Sequence, residues 1–478
     1  MAWETDKLDR EKAASYLTRL LDGSDDARVI NIDSPWGTGK TYFLKNWCDD
    51  LALTHGAVYF NAWENDYSGD PFVSIVSEIK AQLQDQTADS DKLTSKFEDF
   101  SRGAAKALVA VSPVLMKAAV NGFSKKLLGV SAEDLAEEAV DQYSDTMGDV
   151  SEKLVENLIN NNKKSVQAVS SFKHVMNELV AKVGSAISNR DDPVLPVYIF
   201  IDELDRCRPT YAIELLERVK HFLDVQGCRF VIATDTVQLQ ESIKAVYGNG
   251  FSSHMYLKRF FDLTYTLDNS DIKSWLSARW SIPEGVNLKV FELRQSDSTK
   301  ERFRSAFEEP VPPSSKALVD GYADLDNALI TLLSLQKVFG ASLRDMERIL
   351  NHLKAVVFNV RSDGVYFFWL AYLVFLRYFE PELYSEILFG DSDEAFKRLV
   401  SKYRSSAVDF YFGYSCKDLH AVAKECVDIL GSDRAENSSR LNSNGHEFRH
   451  LEDFLMSVMN KSNVHEYPYL VNLGARLS

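Results

Sequence analysis

The sequence runs to 478 residues, enough for about three domains of ordinary size and for a sizeable buried core. Hydrophobic residues at 45% and charged residues at 26% describe a soluble globular protein. A net charge of −16 and a pI near 5.1 argue against a general surface for nucleic acid or anionic membrane. Five cysteines (Cys48, Cys207, Cys228, Cys416 and Cys426) are odd in number and scattered. With no signal peptide in Met1-Ala2-Trp3-Glu4, they point to a reducing, cytoplasmic setting.

Residues 6–21, DKLDREKAASYLTRLL, are patterned as an amphipathic helix. It either touches an adenine or covers a sheet edge. Next come a short β-branched strand at 29–32, a turn built on Pro35, Gly37 and Gly39, and a helix over 40–47. Strand, glycine turn, Lys-Thr and helix form a phosphate-binding loop, in which backbone N–H groups converge on an anion at the helix N-terminus. The loop gives Ser34, Pro35, Trp36, Gly37, Thr38, Gly39, Lys40, Thr41 and Tyr42 as candidate ATP ligands. Lys40 reaches the β- and γ-phosphates and the Thr41 hydroxyl holds Mg²⁺. Ser34 occupies the position expected for a first glycine, and serine tolerates positive φ less well.

A second strand at 57–60 ends at Asn61, which either reaches across to a catalytic carboxylate or fixes the turn before a helix at about 71–84. Residues 88–189 carry a helical pattern with Glu/Asp/Lys-rich faces and no strand signal. The apolar run at 107–116 within them is lysine-flanked and too short to span a bilayer.

Residues 197–208, VYIFIDELDRCR, then read as a strand buried on both faces and ending in Asp202-Glu203. Asp202 would hold Mg²⁺ through water, and Glu203 would take a proton from the water attacking the γ-phosphate. Glycine loop and acidic strand end, in that order in one chain, indicate a nucleoside-triphosphatase.

A helix at 212–223 and a buried strand at 229–233 follow. At that strand's tip, Thr234-Asp235 serves either as a γ-phosphate sensor or as the N-cap of a helix at 237–246. Residues 254–267 carry Lys258 and Arg259 and alternate like an edge strand. Residues 281–315 read as an irregular linker, and the chain from 318 onward as a helical lid and C-terminal domain. Ser342 is a helix cap there, and Arg344 is either a nucleotide-sensing arginine or a partner in a surface ion pair. The run VYFFWLAYLVFL at 365–376 is a buried helix, too short to span a membrane. Cys416, His420 and Cys426 lack the fourth ligand that a zinc site requires.

The succession PWGTGKTYFLKNW, FNAWEND and IDELDRC resembles the KAP family of P-loop NTPases, with similarity running on through RFVIATD and YLKRFFDLTYTL. The resemblance implies an α/β fold: a parallel P-loop sheet flanked by helices, with a large helical insert and a helical C-terminal domain. It places the NTPase domain at 1–275, the insert at 88–190, the linker at 276–317 and the helical remainder at 318–478. The family's inserts are frequently transmembrane, so a soluble or peripheral version is implied here. A basic residue is usual at the position of Arg259, where it would act as an arginine finger in cis or across a homo-oligomer interface, with Arg206 and Arg208 as competitors. Bacterial members are associated with phage exclusion and other defence systems. The resemblance therefore implies an ATPase switch working with a protein partner or effector through the insert or C-terminal helices. A nucleotide-stabilised scaffold with little turnover is the alternative.

Overall fold

The computed structural model describes residues 2–111, 152–188, 196–281, 286–289 and 327–476, apart from short breaks inside these ranges. They fall into two units, Met1–Asp268 and Asn269–Ser478.

The first unit is built on five parallel strands: β1 (Val29–Asp33), β2 (Ala57–Asn61), β3 (Val197–Asp202), β4 (Cys228–Thr234) and β5 (Leu263–Thr266). Their order is β2-β3-β4-β1-β5. β3 and β4 are buried along their whole length, as their continuous apolar sequences require of central parallel strands. Successive side chains point to opposite faces of the sheet. Ile30, Ile32, Tyr198, Phe200, Val231 and Ala233 accordingly pack with Phe43, Leu44 and Trp47 of α2 (Lys40–Leu51) and with Leu17 and Leu21 of α1 (Arg10–Asp22). Val29, Ile199, Ile201, Phe230 and Ile232 form the opposite core. Asn61 caps the short α3 (Ala62–Asn65), and Asp70 caps α4 (Pro71–Gln86), which has proline in its first turn.

Both described ends of the insert are helical: α5 (Thr94–Val111) and α6 (Glu152–Ser188). Phe97, Phe100, Phe172, Met176, Leu179, Val180 and Val183 are buried in the same core as the sheet. The Phe172 ring lies 5.5 Å from that of Phe72 on α4 and 5.6 Å from that of Phe100. The apolar run 107–116 leaves the described residues after Val111, and residues 131–151 of the acidic stretch lie outside them. Among the described residues no helix is long and apolar enough to cross a membrane.

After β3, the unit continues through α7 (Pro209–Arg218), α8 (Thr236–Tyr247) and α9 (Ser253–Leu257) to β5. The alternation expected over 254–267 is therefore split. Leu257 and Phe260 join the core beside β4 from a helical turn, and only Leu263–Thr266 pair with β1.

The second unit packs α10 (Lys273–Arg279), α11 (Asn327–Phe339), α12 (Leu343–Asn359) and α13 (Phe367–Phe379) with further helices around one core. Every residue from Phe367 to Leu376 is buried. The expected helix start at 365 is displaced, because Val365 and Tyr366 pair as a strand with Leu288 and Lys289. That pairing also puts a strand inside the stretch read as linker; residues 290–315 are outside the described ones.

Candidate active site

The site lies at the C-terminal tips of β1, β3 and β4, and strand order brings them together. β4 stands between β1 and β3, so the phosphate loop and the acidic pair flank its tip. The loop leaves β1 with the Ser34 amide donating to Thr234 O on β4 at 3.1 Å. Gly37 and Gly39 adopt left-handed φ values of 82° and 91°, which side-chain-bearing residues rarely take. Ser34 does not, so the expected conflict between serine and a positive φ is absent. Its hydroxyl donates to Thr38 Oγ1 at 2.7 Å, and Thr38 donates in turn to Pro35 O at 2.8 Å. The residue that weakens the motif as a pattern braces the loop as a structure.

Lys40 opens α2, and its buried ammonium folds back to donate to Ser34 O at 2.5 Å and to Pro35 O at 3.3 Å. Burial pulls its pKa down, opposed by the carboxylates of Asp205, Asp235, Asp202 and Asp33. Thr41 follows, half-buried at the helix N-terminus. The Tyr42 hydroxyl hydrogen-bonds Thr5 Oγ1 at 3.0 Å, so this candidate ligand ties the N-terminal segment to α2.

On β3, Asp202 is almost fully buried and both its oxygens are oriented. Tyr59 on β2 donates to Oδ2 and the Glu203 amide to Oδ1, each at 2.8 Å. Burial, with Asp202 beside it, pushes the Tyr59 phenol well above its ordinary range, so it remains a donor. Glu203 has φ 58°, one of two described non-glycine residues in the left-handed region. Its carboxylate meets Arg206 Nη1 at 2.7 Å across a single 3₁₀ turn, Leu204–Arg206. Burial raises the Glu203 pKa, Arg206 lowers it, and Asp202, Asp205 and Glu64 add to the rise.

Three contacts here were not legible in the motifs. Asp205 Oδ2 accepts both the Trp36 indole N–H of the phosphate loop and, at 3.0 Å, the amide of Asp235 beyond β4. One carboxylate thus pins the loop to the neighbouring strand tip. Asp66 accepts from the amide and Nε of Arg208 at 2.8 and 2.9 Å, and the Arg208 guanidinium also donates to Asp66 O. The Arg206 guanidinium sits 5.9 Å from the centre of the Trp63 ring. FNAWEND and DELDRCR are therefore the two faces of one contact.

Other candidates take local roles. The Asn61 carboxamide does not engage Glu203; it accepts from the amides of Trp63 and Glu64 at 3.1 and 3.2 Å, because α3 begins at once and needs a cap. Thr234 is fully buried and donates to Asn31 Oδ1 at 2.8 Å, while the N-cap of α8 is Asp235, accepting from the Gln238 amide. Arg259 is exposed in the turn after α9, and the basic side chain paired with Glu203 is Arg206. Arg344 is exposed in the first turn of α12, in the second unit, behind a Ser342–Asp345 capping box.

Among the described residues no group of three or more His, Cys, Asp or Glu side chains is arranged to hold a metal. His420, weighed for zinc, shares a hydrogen bond of 2.9 Å between its Nδ1 and the Tyr372 hydroxyl. The Thr41 hydroxyl and the oriented Asp202 carboxylate, which shares the surroundings of Lys40 with Asp33, Asp205 and Asp235, suit Mg²⁺, which binds few protein ligands and completes its shell with phosphates and water.

Residues 10–358 match the family model described as the KAP family P-loop domain. The chain belongs to the KAP family of P-loop NTPases. The KAP match runs beyond the sheet-bearing unit and takes in α12, so the family domain extends further than the sequence similarity noted up to residue 267. No curated protein matches the chain.

Proposed function

We propose that this KAP domain binds ATP at the strand tips and hydrolyses its terminal phosphoanhydride. The observation that carries the reading is the convergence of a glycine-shaped loop, a buried Lys40 and the Asp202-Glu203 pair across β4. Lys40 exchanges its two backbone carbonyls for β- and γ-phosphate oxygens, a trade that a desolvated ammonium makes readily. Thr41 and Asp202 are the side chains that would hold Mg²⁺, which when bound neutralises charge on the phosphate oxygens. Glu203 accepts the proton of the attacking water. Turnover switches the arrangement of the helical regions, and the setting is an anti-phage system acting through a protein partner or a second copy of the chain.

Isothermal titration of the purified protein with Mg²⁺·ATP, beside a phosphate-release assay, tests this. Binding with release, and loss of both in Lys40→Ala, is the expected result. Tight binding with no phosphate released, alone or with a partner, would leave the nucleotide-stabilised scaffold.

A further inference from the structure

Glu203 is held in a way that a general base does not require. Its backbone is in the left-handed region, its amide is tied to Asp202, and one of its oxygens contacts Arg206 at 2.7 Å. The charged groups facing that carboxylate are Asp202 on β3, Glu64 on α3, and Asp205 and Arg206 on its own turn; the Tyr59 hydroxyl on β2 and the Cys207 thiol also lie close. Three of the four charged neighbours are acidic. Two other cations near the tips are engaged elsewhere: Lys40 on the loop carbonyls and Arg208 on Asp66. Arg206 is thus the cation that pairs with this carboxylate among carboxylates.

The guanidinium is itself steered. A guanidinium drawn to an indole by its ring electrons keeps its N–H groups free for a hydrogen bond. Trp63 offers that surface from α3, whose position is fixed by the Asn61 cap at the tip of β2. Asn61 is in register with Asp202 on β3, so the helix carrying Trp63 and the strand leading to Glu203 are anchored to each other. Trp63 remains 54% exposed, a large apolar surface left in water on one side with an arginine on the site side.

We propose that Arg206, held beside Trp63, is a positioning residue that aims Glu203 at the water that attacks the γ-phosphate. The inference rests on the reading of Glu203 as the base of an ATPase. Arg206 acts through Glu203, so it governs turnover and leaves the affinity of the phosphate loop alone. Trp63 contributes by its ring, which any aromatic residue supplies in part.

The test combines a pairing measurement without turnover and a kinetic one. A double-mutant cycle of Glu203→Gln and Arg206→Gln, read by thermal unfolding, should show coupling between the two side chains; additive effects would overturn the proposal. In Mg²⁺·ATP hydrolysis, Arg206→Gln should lower kcat at neutral pH and leave KM within a factor of about two. Arg206→Lys should restore part of the lost kcat, Trp63→Ala should lower kcat by less than Arg206→Gln does, and Trp63→Phe should stay near wild type. A raised KM with kcat unchanged would instead put Arg206 on the nucleotide and sink the idea. Coupling in the cycle together with wild-type turnover in Glu203→Gln would show that the base reading has failed, and the kinetic role of Arg206 with it, while the ion pair stands.

Discussion

The strand tips of the first unit and the α13 core of the second bury their atoms for opposite reasons. At the tips the buried groups include Ser34, Thr38, Lys40, Asp202, Asp205, Thr234 and Asp235, and each is engaged by a named partner. Around α13 the buried groups from Phe367 to Leu376 are nearly all hydrocarbon. Leaving one buried polar group without its partner costs about 1–3 kcal/mol, so the tips hold only if several directions are right at once. Apolar burial contributes roughly 25 cal/mol per Å² whatever its direction, so the α13 core tolerates redesign at constant volume. Stability is spread evenly in one region and concentrated in a few bonds in the other.

Three substitutions, one of them read twice, break or sharpen that contrast. Glu203→Gln should cut turnover by roughly 10²–10⁴-fold, the usual worth of a positioned base, with titrated Mg²⁺·ATP affinity unchanged. Trp369→Ala, in a fully buried aromatic of α13, should cost about 3–5 kcal/mol in denaturant unfolding. A variant unfolding at the wild-type midpoint would mean that this core is not the second unit's foundation. Asp205→Ala should cost about 1–3 kcal/mol, because it leaves the Asp235 amide without its acceptor. It should also change the emission of the released Trp36 indole. The smallest effect concerns pH. Burial raises the Glu203 pKa in the folded chain, so the native state binds this proton more tightly than the unfolded one. Wild type therefore loses stability as pH climbs from the unfolded glutamate value, about 4.3, through the raised folded value. The melting temperature of Glu203→Gln should match wild type below that window and exceed it above, as differential scanning calorimetry would read. A gain constant across pH would trace to the backbone or packing at Glu203, not to its charge.

How far each region could be read beforehand follows from the same contrast. β1, β3 and β4 are apolar runs bounded by turn residues, and their positions were legible to within a residue or two. α13 was equally plain, since ten successive apolar or aromatic residues allow little else. The loop was legible because phosphate chemistry demands Gly37, Gly39 and Lys40 at fixed spacing. Its brace through Ser34 and Thr38 was not, since a missing glycine reads as a defect until the backbone is seen. Arg206 was visible only as one of several basic residues; its pairing with Glu203 depends on a left-handed residue followed by a 3₁₀ turn, which no periodicity announces. Asp205 and Asp66 find partners 30 or more residues away, where local pattern carries no information.

The sheet order also has a consequence for how the chain is made. β1 emerges from the ribosome early, but its neighbours are β4 and β5, and β4 ends about 200 residues later. At roughly 5–20 residues per second, β1 waits on the order of 10–40 s for its first strand partner. Throughout that time its apolar residues and the helix behind it, with Phe43, Leu44 and Trp47, lack the layer that covers them. β2 and β3 can pair with each other once β3 is made, yet that pair lacks the phosphate loop. A nascent chain of this protein is therefore a prolonged client for whatever shields hydrophobic segments in its cell, and the phosphate loop gains its place in the sheet only after the sequence of β4 has been translated.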